Sequence, residues 1–178
     1  FPLIDFLLTH FKSSIFEKEK EILIEIIGSL LKNSKDLKTE DLLSFFLSQL
    51  SSIRSSEEGN HDLLYHILYA IYQFFSNKYL EIFEKNDFLR QLFQLFNLSP
   101  EIDMLLLQFS LKFAKSFQFT EEISEFILHS IKFHSDDTVD IISYIIYSVF
   151  KRDPTILKND FIKDTIVECF CNSNNQVS

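Results

Sequence analysis

The side chains able to bind or react fall into a few sets, and the first of them argue against chemistry. Cys169 and Cys171 stand as C-x-C with no second pair, a poor zinc pattern and an awkward geometry for a disulfide. They read as reduced thiols, which fits a cytoplasmic protein, with the nucleus also compatible. His10, His61, His66, His129 and His134 lie in five separate segments, with no i, i+4 pair and no neighbouring cysteine, so no metal site is expected. The acidic clusters Glu17 to Glu21, Glu57-Glu58 and Glu121-Glu122 read as solvated helix starts, where carboxylates meet the positive end of the helix dipole. Tyrosine is different. Tyr65, Tyr69, Tyr72, Tyr144 and Tyr147 crowd into two short segments, and tyrosine covers apolar area while keeping a polar tip. A ridge of it suits an extended or helical peptide.

Enzyme signatures are missing. The chain has no glycine-rich phosphate loop, no G-x-S-x-G and no H-E-x-x-H. Its two glycines, Gly28 and Gly59, leave almost nothing with which a backbone could cradle a phosphate. A Ser/His/Asp constellation is spatial and not excluded by spacing. The expectation is nevertheless no catalytic residue and no cofactor.

What could position the tyrosines follows from composition. A chain of 178 residues with 46% hydrophobic content can bury a core, and two glycines with three prolines are too few for the turns of a sandwich or barrel. The class is all-α. A formal charge of −9 and a pI near 5.0 disfavour nucleic acid and anionic membrane surfaces, and are compatible with a basic partner. No apolar run reaches the ~18 to 20 residues that span a bilayer. The stretch Phe1 to Phe11 is broken by Asp5 and His10 and reads as a buried helix, not a signal peptide.

One pattern returns four times. Glu21 to Leu31, Asp62 to Tyr72, Met104 to Ala114 and Asp140 to Phe150 each place apolar residues at their second, third, sixth and tenth positions, with mostly polar or small residues at the fifth and ninth. Successive starts lie 41, 42 and 36 residues apart. Sliding the third segment to begin at Asp103 would turn Gln108 and Lys112 onto the buried face, so Met104 is the preferred start. An amphipathic partner segment recurs upstream of each repeat helix, followed by a short polar turn: Leu3 to Phe11, Leu42 to Ile53, Phe88 to Phe96, Ile123 to Phe133 and Phe161 to Phe170. The turns Asn97 to Glu101, His134 to Thr138 and Cys171 to Val177 carry capping chemistry, and Ser14-Ile-Phe-Glu17 has the spacing of a capping box. Lys85-Asn-Asp-Phe88 and Lys158-Asn-Asp-Phe161 are near-copies, each after a short helical stretch, Lys78 to Glu84 and Pro154 to Leu157. Asp153-Pro154 suits an N-cap and first helical position.

A short helix, a sharp turn and two longer helices, at a period above the ~33 to 34 residues of ankyrin or tetratricopeptide repeats, resembles the armadillo/HEAT repeat family. The resemblance is clearest from about Asn77 onward. It implies a right-handed α-solenoid of about four repeats, here 1–33, 34–76, 77–117 and 118–152, with a last, incomplete one at 153–178. Where the family turns on glycine, Asp87 and Asp160 occupy the neighbourhood, and Asp tolerates left-handed backbone. Cargo readers of the family carry a Trp and Asn ladder on the third helix. This chain has no Trp, and its four repeat segments hold no Asn, which counts against nuclear-signal reading.

The resemblance also implies that the repeat helices line a concave ligand face. Its candidate residues are Glu25, Ser29 and Lys32, then Tyr65, His66, Tyr69, Tyr72 and Gln73, then Gln108, Lys112 and Lys115, and finally Tyr144, Tyr147, Ser148 and Lys151. The tyrosines read either as a contact ridge or as packing between repeats with the hydroxyl at the solvent edge. Two functions stay open: an adaptor capturing a protein or peptide segment in the groove, or a structural subunit of a larger assembly. Because the last unit is cut at Ser178, the natural chain is expected to continue, or a second copy or another subunit covers that end.

Overall fold

Apolar residues spaced three and four apart, with almost no glycine or proline between them, can be buried together only if the chain coils. The computed structural model describes residues 2–33, 39–54, 60–74, 82–83, 87–116, 121–132, 138–158, 160, 163–164 and 166–167, and these are all-α, without a strand among them. The described helices are α1 (Pro2–Ser13), α2 (Glu17–Asn33), α3 (Thr39–Arg54), α4 (His61–Phe74), α5 (Phe88–Phe93), α6 (Pro100–Ser116), α7 (Glu121–Lys132) and α8 (Val139–Arg152), followed by a 3₁₀ turn over Pro154–Lys158. The four repeat segments fall inside α2, α4, α6 and α8, and four of the partner segments become α1, α3, α5 and α7. Phe161 to Phe170, the turn after it and most of Lys78 to Glu84 lie largely outside the described residues.

The chain divides into two compact units, Phe1–Asn86 and Asp87–Ser178. In the first, α1 packs on α2 and α3 on α4, and the repeat helices α2 and α4 lie against each other. Phe11 and Phe45 meet edge to face at 5.4 Å, joining α1 to α3. Ile24, Ile27, Phe46, Ile67 and Ile71 are fully buried, each contributing about 1.5–3 kcal/mol of transfer free energy. In the second unit, α6 packs on both α7 and α8, α5 packs on α7, and the 3₁₀ turn packs on α8. Phe126 is its hub, with ring centroids 5.3 Å from Phe93, 5.5 Å from Phe96 and 5.5 Å from Phe113.

Helix starts show which polar residues matter. Ser99 caps α6 by accepting from the Ile102 N–H at 3.3 Å, with Pro100 at the first helical position. Asn60 does the same for α4, accepting from the Leu63 N–H at 3.0 Å, and its amide donates to Glu17 Oε2 at 2.6 Å. Asp153 accepts from the Thr155 N–H at 2.9 Å at the start of the 3₁₀ turn. Asp87 adopts left-handed backbone at φ 51°, a conformation that Asp tolerates. The residues flanking Asp160 lie outside the described ones. Asn97 is also left-handed, at φ 66°, and α5 stops at Phe93 instead of running to Phe96 because the chain must turn there to reach Ser99.

Three sequence readings need correction. The capping box does not form between Ser14 and Glu17. α2 begins at Glu17, so the Ser14 hydroxyl reaches Glu19 instead, and Glu17 pairs with Asn60. Glu21, read as part of a solvated cluster, is 4% exposed and accepts from Lys18 Nζ at 2.6 Å. Ile22 and Ile26, the second and sixth places of the first repeat, are 50% and 42% exposed. The neighbours α1 and α4 cover the side of α2 that carries Leu23, Ile24 and Ile27, and leave those two outside. With Leu3, Phe6, Ile15 and Phe16 they make this end of the first unit rich in exposed apolar side chains.

His129 on α7 sits against Phe93 and Phe96, at 5.6 and 4.8 Å between ring centroids. Burial, and then the nearby Lys132, hold its pKa below the ordinary 6.5. The folded state therefore resists a proton that the unfolded chain accepts, so stability falls as pH drops through about 6.5. Urea midpoints at pH 7.5 and 5.5 should differ in that direction, and His129→Leu should flatten the difference.

Candidate functional site

The fifteen candidate residues fall into two sets, one on each unit. In the first unit, α2 and α4 meet through Ile24, Ile27, Ile67 and Ile71, all 0–1% exposed. On one side of this seam small residues keep the helices from filling the space between them. Gly28 has no atom within 4 Å of where a Cβ would stand, and Ala70 is 3% exposed. The result is a groove of about 430 Å³ with Ile24, Gly28 and Ala70 at its base, Glu25 and Ser29 from α2, and Tyr65, His66, Tyr69 and Gln73 from α4. Six of the candidates share this one concavity.

Their geometry is ordered. Tyr65 and Tyr69 stack at 6.2 Å and 14°, and Tyr69 and Tyr72 at 6.4 Å and 24°, because residues three and four apart share a helix face. Tyr65 meets the His66 ring edge to face at 5.7 Å. His66 Nδ1 lies 3.4 Å from Glu25 Oε1, across the groove. The Glu25 side chain remains 62% exposed and that of His66 22%. Tyr69 is 45% exposed. Burial, and then the neighbouring Tyr69, hold the Tyr72 hydroxyl above its usual pKa and so protonated. Lys32 lies in the last turn of α2, where the side chains are outside the described residues.

The second unit carries a different arrangement. Tyr144 and Tyr147 on α8 are 59% and 61% exposed. Lys115 Nζ, from α6, lies 4.9 Å from the centroid of the Tyr144 ring, and Lys151 Nζ lies 6.0 Å from that of Tyr147. Both fit cation–π contacts. Arg152 also donates to the Lys115 carbonyl, tying the end of α8 to α6. Ser148 is half-buried. Gln108 and Lys112 are half-buried too, and burial pushes the Lys112 ammonium pKa down. Beneath them Ser110 and Ser130, both 0% exposed, join α6 to α7 with hydroxyl oxygens 2.7 Å apart.

Sequence spacing singled out the tyrosines and Glu25 but gave Gly28 no role. The only signal was its smallness opposite Ala70, which acquires meaning once α2 and α4 are known to cross there. Among the described residues no three His, Cys, Asp or Glu side chains gather as a metal site would need, and no helix is long and apolar enough to cross a membrane. The chain matches no family model, no curated protein and no solved structure.

Proposed function

We propose that this chain is a non-catalytic protein-interaction module, a right-handed α-solenoid of about four armadillo/HEAT-like repeats that holds a peptide or protein segment on the concave face lined by its repeat helices. The observation that carries the reading is the pairing of repeat helices, α2 with α4 and α6 with α8, beneath exposed aromatic groups at equivalent places, Tyr69 and Tyr147. Large, rigid, half-exposed side chains over a buried seam are what protein interfaces use as anchors. Cytoplasm or nucleus suits the reduced thiols, and the acidic charge suits a basic partner.

The test separates binding from packing. Replacing Tyr69 and Tyr147 together by alanine should lower affinity for a segment held on this face about thirtyfold or more, since anchor truncations cost ~2 kcal/mol or more. The thermal midpoint should move little, because the two side chains are already 45% and 61% exposed. Equal loss of binding and stability would leave only a packing role for the tyrosines.

A second reading, the structural subunit, is favoured by one observation. Leu3, Phe6, Ile15, Phe16, Ile22 and Ile26, all 42% exposed or more, gather on α1, the following turn and α2. If that surface is covered in an assembly, Phe6→Glu with Ile22→Glu should abolish the assembly and leave capture at Tyr69 intact.

A further inference from the structure

We infer that the α2/α4 groove receives an arginine side chain from a basic segment of the bound protein. This deepens the protein-binding reading and rests on it. The argument starts from a comparison the molecule makes with itself. At equivalent places on α4 and α8 stand Tyr69 and Tyr147. On α8 the residue one turn further is Lys151, whose ammonium lies 6.0 Å from the Tyr147 ring, and Tyr144 carries Lys115 at 4.9 Å. On α4 the corresponding residue is Gln73, and across the groove from the tyrosines stands a carboxylate, Glu25. The second unit supplies cations to its own tyrosines. At the place of Lys151, α4 instead puts a neutral amide, Gln73, opposite an anion, Glu25.

Three features select a guanidinium over other cations. Tyr65 and Tyr69 are nearly parallel, 14° apart, and Tyr69 is 45% exposed, so a planar cation can lie along the ring faces. Glu25 is 62% exposed and only 3.4 Å at closest from His66 Nδ1, which leaves carboxylate lone pairs for a forked donor. The groove's ~430 Å³ is within the range of small-ligand sites, and above Gly28 it is open. Lys18 and Lys20 on α2 are engaged elsewhere, Lys18 with the buried Glu21 and Lys20 over the Phe11 ring at 5.7 Å. The chain's net charge of −9 adds long-range attraction for a basic segment.

The experiment uses the full chain and fluorescein-labelled glycine/serine peptides that carry two arginines, two lysines or two citrullines. Anisotropy should show the arginine peptide binding several-fold more tightly than the lysine peptide and at least tenfold more tightly than the citrulline peptide. Glu25→Gln should weaken the arginine peptide about tenfold. Gly28→Leu should fill the groove and abolish that binding without lowering the thermal midpoint, since leucine is the better helix former and its Cβ meets no atom within 4 Å. Equal binding of the citrulline peptide, or undiminished binding to Gly28→Leu, would overturn the inference, the second because it marks plain attraction to an acidic surface. If the arginine peptide fails while a segment without cations cross-links at position 69, the arginine assignment falls and the protein-binding reading stands.

Discussion

Phe126→Ala should remove about 3–5 kcal/mol from the stability of the second unit, the range for truncating a fully buried aromatic. The ring is 0% exposed and touches Phe93 and Phe96, which end the α5 segment, and Phe113 on α6. Alanine would leave a cavity shared by three elements, and Phe93 and Phe113 would each lose an edge-to-face partner, worth about 0.5–1.5 kcal/mol beyond burial. Domains of this size hold only about 5–15 kcal/mol in total, so the loss is a large share. Urea unfolding followed by circular dichroism should show the transition of this unit moving to lower denaturant. Phe126→Leu, which keeps most of the volume, should recover the greater part. A change below ~1 kcal/mol would mean that α7 does not pack as described.

Ile27→Asp should unfold the first unit, and Gly28→Ala, one residue on, should stabilise it. Ile27 is 0% exposed in the seam where α2 meets α4, so a carboxylate there would lose its water and gain no partner, at a cost of several kcal/mol. Gly28 faces the open groove with no atom within 4 Å of an added Cβ. Alanine there costs nothing sterically and removes the glycine penalty in a helix, about 0.5–1 kcal/mol. Opposite signs at adjacent positions follow only if α2 presents one side to α4 and the next to the groove. Thermal unfolding of the two variants measures both. A stabilised Ile27→Asp or a strongly destabilised Gly28→Ala would place the seam elsewhere.

Much of this was legible before any coordinates. The spacing of Leu63, Leu64, Ile67 and Ile71 marks the buried side of α4, and all four are buried. The turn residues Ser99-Pro100 and Asp153-Pro154 announced their caps, and Asp87 took the left-handed backbone that Asp tolerates. The limits were of one kind. Periodicity finds an apolar stripe, but which edge of a wide stripe is covered depends on where the neighbours stand. Ile22 and Ile26 look like core beside Leu23 and Ile27, yet α1 and α4 approach from elsewhere. Glu21 looks like a surface acid until its Lys18 partner and burial are seen. The groove depends on two small residues, Gly28 and Ala70, 42 positions apart in sequence. No local pattern links them. The division between Asn86 and Asp87 was also not marked by any change in composition.

On the proposed function, the open side of the repeat helices, not the partner helices, holds another protein. A photo-reactive phenylalanine analogue placed at Tyr69 on α4, and in a second variant at the exposed Ser48 on α3, tests it in cells expressing the full chain. Mass mapping of the adducts should return one defined polypeptide segment from position 69 and none from position 48. Adducts from position 48 alone would contradict the claim and put the binding surface on the partner helices.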